Sequence, residues 1–140
     1  MPFSAERILL DTSVAVPLVV DRHEHHEAML TALGRAELGL AGHAAFETFS
    51  VLTRLPAPLR RGPGVIAQVL ASSFPATLQL SSDEATRLLA ELATLEIAGG
   101  SVFDALVGAC AREHALPLVS RDRRAAEIYR LLDVDVQLLT

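Results

Sequence analysis

The sequence predicts an α/β fold, a mostly parallel sheet with helices packed on it. Three observations lead there. Short apolar runs of strand length alternate with longer segments of helical periodicity, the pattern of a parallel sheet with crossover helices. Hydrophobic residues make up 51% of the chain but aromatic residues only 4%, so the core is built mostly from Leu, Val and Ala. Two acids, Asp11 and Asp122, directly follow apolar runs, where a strand would open into a helix.

In chain order, Arg7–Leu10 reads as a buried strand, followed by a helix that Thr12 or Ser13 would cap. Asp21–Arg35 reads as a helix with Ala28, Met29, Leu30 and Leu33 as its apolar stripe and Gly34 as its stop. Leu38–Ala41 is a second strand. Ala44–Leu55 is a helix ended by Pro56-Ala57-Pro58. Pro63 stands in the first turn of a helix to about Ser72. Leu78–Leu80 is a candidate strand, and Asp83–Leu95 an amphipathic helix with Leu88, Leu89, Leu92 and Leu95 on one side, for the core or a dimer interface. After the break at Gly99-Gly100 come a helix over Ser101–His114, a strand over Pro117–Val119, a helix over Asp122–Leu132 and a strand over Val134–Leu138. No repeat, linker or low-complexity stretch interrupts them, so one domain over residues 1–140 is expected.

Composition excludes several functions. All twelve basic residues are Arg, and without Lys neither a Walker A phosphate loop nor a receiver domain can take its usual form. A net charge of −5 disfavours a protein that coats nucleic acid, though not an enzyme that binds it locally. Cys110 is the only cysteine, which rules out an internal disulfide and a thiolate zinc cluster and leaves a small buried apolar residue. The longest apolar stretch, Val14–Val20, is too short for a bilayer, and no secretory signal is visible, so a soluble, cytoplasmic protein without membrane contact is expected.

Four acids carry the candidate chemistry. Asp11 and Asp122 end strands, Asp104 lies in the first turn of the Ser101 helix, and Glu47 lies one turn into the Ala44 helix. Each has a structural alternative: Asp122 as an N-cap, Asp11 as a turn residue, Asp104 as the acid of a Ser101-x-x-Asp104 capping box. Glu47 is surrounded on its helix by Ala44, Ala45, Phe46, Phe49, Val51 and Leu52, so a largely buried carboxylate is expected, which needs a partner or a cation. Brought to one sheet edge, four carboxylates repel each other unless a hard divalent cation such as Mg²⁺ or Mn²⁺ neutralises them. The residues themselves lead to an acidic metal site acting on phosphate.

At these same positions the chain resembles the PIN-domain family, specifically the VapC-type toxins. The resemblance is carried by Ile8-Leu9-Leu10-Asp11-Thr12-Ser13, by Phe46-Glu47-Thr48-Phe49-Ser50-Val51-Leu52-Thr53-Arg54-Leu55-Pro56, by Gly99-Gly100-Ser101-Val102-Phe103-Asp104-Ala105-Leu106-Val107, and by Pro117-Leu118-Val119-Ser120-Arg121-Asp122. It implies a three-layer α/β/α sandwich around a mostly parallel twisted sheet. It also implies a metal-dependent endoribonuclease with Asp11, Glu47, Asp104 and Asp122 as catalytic metal ligands, and with the hydroxyls of Thr12, Ser13 and Ser120 orienting carboxylates or water. A small VapB-type antitoxin and a homodimer are implied as partners of the RNA-cleaving chain.

Arg54, Arg121, Arg123 and Arg124 are candidates for RNA phosphate contact, with a solvated, acid-balancing face as the alternative; Arg60 and Arg61 are weaker candidates. His23, His25 and His26 lack metal-ligand spacing and read as a solvated helix start, and His43 and His114 as lone histidines near helix ends. Two other functions compete. A haloacid-dehalogenase-type phosphatase normally has a second Asp two residues after the first, where this chain has Ser13, and no Lys is present to assist. A non-catalytic PIN-like interaction or scaffold domain would typically have lost one of the acids.

Overall fold

The computed structural model describes residues 6–140, among which seven helices surround a four-stranded sheet. The strands β1 (Arg7–Leu10), β2 (Glu37–Leu40), β3 (Leu118–Ser120) and β4 (Val136–Leu138) lie in the order β2-β1-β3-β4, all parallel. Ile8, Leu9 and Leu10 are wholly buried because β1 is covered on both faces, which is why its sequence is continuously apolar rather than alternating. Each contributes roughly 1.5–3 kcal/mol by burial.

The pleat sends these residues to two separate cores. Leu9 and Leu118 face α5 (Ser82–Thr94), α6 (Ser101–Glu113) and α7 (Arg123–Leu131), through Leu88, Leu92, Val107 and Tyr129. Ile8, Leu10, Leu40 and Val119 face α1 (Thr12–Val19) and α2 (His26–Leu33), through Val14, Met29 and Leu33. The result is a three-layer α/β/α sandwich. Of two further helices, α3 (His43–Thr53) reaches both cores, with Ala44 in the first and Ala45 packed on the second, and α4 (Pro63–Ser73) packs on α3 and places Leu70 on the second.

From β1 the chain steps outward to β2, then returns across β1 to β3 and continues to β4. The direction reverses between β1 and β3, and at such a switch point the connections leave opposite faces and open a crevice beyond the strand ends. Asp11 follows β1 there and Asp122 follows β3.

Several boundaries differ from expectation, each for a local reason. Asp11, not Thr12 or Ser13, caps α1, because its carboxylate accepts from the Ser13 amide. The helix expected from Asp21 begins only at His26, since the His23 ring takes the His25 amide and competes with the helical bond. Leu78–Leu80 is not a strand. Leu78 makes one isolated bridge to Ala41, and the Thr77 hydroxyl, not a backbone carbonyl, accepts from Leu40. That segment covers the outer edge of β2 so closely that a Cβ on Gly39 would lie 2.2 Å from the Ala76 oxygen, so only glycine fits. On α5, Leu88 and Leu92 are buried but Leu89 is 70% exposed, so the expected leucine stripe is only partly core. No described helix is long and apolar enough to cross a membrane.

Candidate active site

Asp11, Glu47, Asp104 and Asp122 line one cleft of about 70 Å³ at the switch point, together with Thr12, Ser13, Val107 and Tyr129. That volume has room for an ion and a few waters. Four elements deliver the acids: the ends of β1 and β3, the second turn of α3 and the first turn of α6.

Asp11 is the most enclosed, at 5% exposure. Its Oδ1 accepts from the Ser13 amide and the Ser13 hydroxyl, and its Oδ2 accepts from the Tyr129 hydroxyl at 2.9 Å. Burial raises its pKa, and the hydroxyls of Ser120, Ser13 and Tyr129 oppose the rise by favouring the charged form. The single Ser13 proton goes to Asp11, so Ser13 Oγ accepts from the Arg121 amide at 2.8 Å, and the Ser120 hydroxyl lies 3.4 Å from it. Ser120 Oγ in turn accepts from the Asp122 amide. One chain of hydrogen bonds thus ties the end of β3 to the end of β1.

Asp122 caps α7 through Oδ1, which accepts from the Arg124 and Ala125 amides. Capping and lining the cleft are therefore not alternatives for this residue, and the same holds for Asp11. Asp104 differs. Gly100 is the N-cap of α6 and makes no side-chain cap, while Ser101 is already helical, so the Ser101–Asp104 capping box does not form. The Asp104 pKa is pushed up to about 6 by burial first, then by the negative charges of Asp122, Glu47 and Asp11, with Arg124 opposing. Proximity of like charges is thereby felt at Asp104 from all three other acids.

Glu47 is less enclosed than expected, its side chain being 41% exposed. The apolar residues around it divide between the core and the surface, and Phe46 is 65% exposed. Burial raises the Glu47 pKa, His43 lowers it, and Asp11 raises it further. His43 Nε2 lies 3.6 Å from Glu47 Oε1, and its ring stacks on Phe103 with centroids 5.1 Å apart and an interplanar angle of 20°.

Thr12 lines the cleft but its hydroxyl orients no carboxylate. It donates to the Ala44 carbonyl at 3.3 Å and lies 3.1 Å from the buried Thr48 hydroxyl, which fixes α3, and with it Glu47, against α1. Among the arginines, Arg124 acts on Asp104, and Arg54 lies on the α3 face with His43, Phe46 and Glu47. Arg123 is exposed, and Arg121 has its Nε buried without a hydrogen-bond partner. His23 and His25 sit beside each other at the start of α2, while His26 Nδ1 lies 2.8 Å from the Pro17 carbonyl and joins α2 to α1.

Sequence reasoning missed Tyr129 and His43. Tyr129 is the chain's only tyrosine and lies seven residues after Asp122, hence on the same face of α7. Its ring reaches Asp11 past Gly108 of α6, where a Cβ would meet the ring at 2.9 Å. His43 precedes Glu47 by four residues, the spacing that makes helix neighbours.

Comparison with known proteins agrees with this geometry. The PIN domain family model matches residues 8–131. Ribonuclease VapC27 of Mycobacterium tuberculosis (strain ATCC 25618 / H37Rv) is 46% identical over 129 residues, which are 92% of this chain and 94% of the relative. Ribonuclease VapC40 of Mycobacterium tuberculosis (strain CDC 1551 / Oshkosh) is 43% identical over 134 residues, 93% of this chain and 97% of the relative. Two solved structures share the fold. The sarcin-ricin loop cleaving toxin VapC20 of Mycobacterium tuberculosis has a TM-score of 0.65 at 19% identity, over 86% of this chain and 93% of that one. VapBC2 from Rickettsia felis, bound to a promoter DNA fragment, has a TM-score of 0.68 at 14% identity, over 96% and 99%. The chain belongs to the PIN-domain family, in its VapC-type group.

Proposed function

We propose that the chain is the toxin of a VapBC-type toxin–antitoxin pair, a cytoplasmic endoribonuclease that hydrolyses RNA phosphodiester bonds with Mg²⁺ or Mn²⁺. One observation carries this reading: four carboxylates line one small cleft. The names of the two ribonuclease relatives support the RNA substrate.

The donor set suits a hard cation. Carboxylate oxygens are the ligands Mg²⁺ and Mn²⁺ prefer, and no softer donor lines the cleft. Among the described residues no three His, Cys, Asp or Glu side chains form a group that could hold a metal ion as they stand, so a cation here would have to be met partly through water or draw the acids together. Asp11 and Asp104 would be its principal holders, with Asp122 and Glu47 completing the site directly or through water. Bound there, the cation supplies water activation and neutralisation of the charge developing on the phosphate.

The chain's own residues do the rest. Ser13 and Tyr129 hold Asp11 by both oxygens, so its carboxylate cannot rotate away from the cleft. Asp122 is fixed by its cap through one oxygen, which leaves the other for the cleft. Glu47, its side chain 41% exposed, is placed to accept a proton from water entering the cleft, with His43 beside it. Arg124 offsets part of the negative charge as an RNA phosphate approaches. A VapB-type antitoxin inhibiting the chain and a homodimeric toxin complete the proposal. The VapBC assembly named among the fold relatives makes that partner class the natural one to test.

The test is incubation of the purified protein and its Asp104→Asn variant with total cellular RNA, with Mg²⁺ or Mn²⁺ or with chelator. Discrete cleavage by the wild type alone, lost in chelator, is the expected result. Folded, metal-binding protein that leaves all RNA intact refutes the reading, and full activity of Asp104→Asn refutes the assignment of that residue.

A further inference from the structure

Phe46 and Phe103 are left 65% and 50% exposed, and they are the two aromatic rings among the exposed large hydrophobic side chains of the described residues. Each immediately precedes an acid of the cleft, Glu47 on α3 and Asp104 on α6. The His43 ring joins them: it stacks on Phe103 and lies one helical turn before Phe46 on α3. His43, Phe46, Ser50 and Arg54 continue as one face of α3, along a hollow of about 310 Å³. At 1.5 Å per residue, the eleven steps from His43 to Arg54 make a strip roughly 16 Å long. It starts at the acids and ends at a guanidinium.

We propose that Phe103, His43 and Phe46 form a stacking platform for unpaired nucleobases of the RNA strand whose phosphate enters the acid cleft. The proposal rests on the ribonuclease reading and adds to it the side chains that hold the bases of the strand along α3. Every base has a π-face, so aromatic rings hold a strand without regard to sequence. An acidic cleft repels the phosphate backbone, and stacking supplies attraction that does not depend on charge. Arg54, beyond the rings, meets the backbone where it leaves the acids. A second copy of the chain covering the same rings would bury Arg54 and Glu47 with them, at a desolvation cost that neither ring offsets.

The platform is tested by fluorescence anisotropy with a fluorescein-labelled single-stranded RNA oligonucleotide. The binding protein carries Asp104→Asn, which blocks cleavage, and Mg²⁺ is present. Phe103→Ala and Phe46→Ala should each weaken binding roughly tenfold, with Phe103→Trp retaining it. An oligonucleotide with the same backbone but no bases should bind the parent and the Ala variants alike. Ala variants that bind the RNA as the parent does overturn the platform. So does sedimentation showing that they dissociate a self-associated parent, because the rings then belong to an interface between copies. Wild-type cleavage of total RNA in the same preparations separates the two levels. Cleavage with unaffected Phe variants removes the platform alone, whereas wild type that neither binds nor cleaves RNA removes the ribonuclease reading with it.

Discussion

Replacing Asp104 by Asn should make the metal-free protein more stable at neutral pH. The Asp104 pKa stands at about 6 against the ordinary 3.8 of an aspartate, raised by burial and by the charges of Asp122, Glu47 and Asp11. Because the folded state binds this proton more tightly than the unfolded chain, stability is fully present below about pH 4. It is lost as pH climbs to about 6, and above that the whole cost is carried. Two units at about 1.4 kcal/mol each set a ceiling near 3 kcal/mol. Asp104 is partly solvated, and screening brings the expected gain to about 1–2 kcal/mol. For a chain of this size that is a rise in melting temperature of roughly 3–8 °C. The assay is thermal unfolding of wild type and variant in chelator, from about pH 4 to pH 8. The gain should appear above pH 6 and vanish near pH 4, and Mg²⁺ should raise the melting temperature of the wild type only. A variant no more stable than wild type at any pH would refute the electrostatic account and make Asp104 an ordinary helix residue.

Three further outcomes follow from the same geometry. Metal affinity measured by titration calorimetry should weaken as pH falls through about 6, because protons compete for Asp104, whereas a pH-independent affinity would place the metal elsewhere. Tyr129→Phe removes a donor from a buried carboxylate and should cost about 1–3 kcal/mol in urea unfolding while lowering cleavage; an unchanged midpoint would show that water replaces the hydroxyl. Gly39→Ala puts a methyl group against the Ala76 carbonyl and should cost more than about 2 kcal/mol or abolish soluble expression, and a silent substitution would mean that the 76–78 segment moves freely off the sheet edge.

The parts of the molecule that were readable in the sequence are those in which one local rule governs. β1 declared itself because three adjacent apolar residues can all be buried only in a sheet covered on both faces. Pro63, Gly34 and Asp122 marked helix ends through backbone chemistry confined to a few residues. The misreadings arose where a side chain took over a backbone bond, as Thr77 does at Leu40 and His23 at His25. Four acids could be listed in order, but whether they met depended on topology, and it is the β2-β1-β3-β4 order that places β1 beside β3. The enclosure of Glu47 was overestimated because helical neighbours in sequence do not say which face meets solvent. Tyr129 stayed hidden because its partner is 118 residues away.

That separation has a consequence for how the activity comes into being. Asp11 lies in the first element of the chain, but the hydroxyl on its Oδ2 and the strand that carries Ser120 belong to the last quarter. While the chain is being synthesised, the first acid leaves the ribosome long before its surroundings exist, and long-range pairing of this kind closes late in folding. A nascent or truncated chain therefore carries carboxylates without a site. The acid cleft takes its final geometry only when the later strands and α7 have docked on β1.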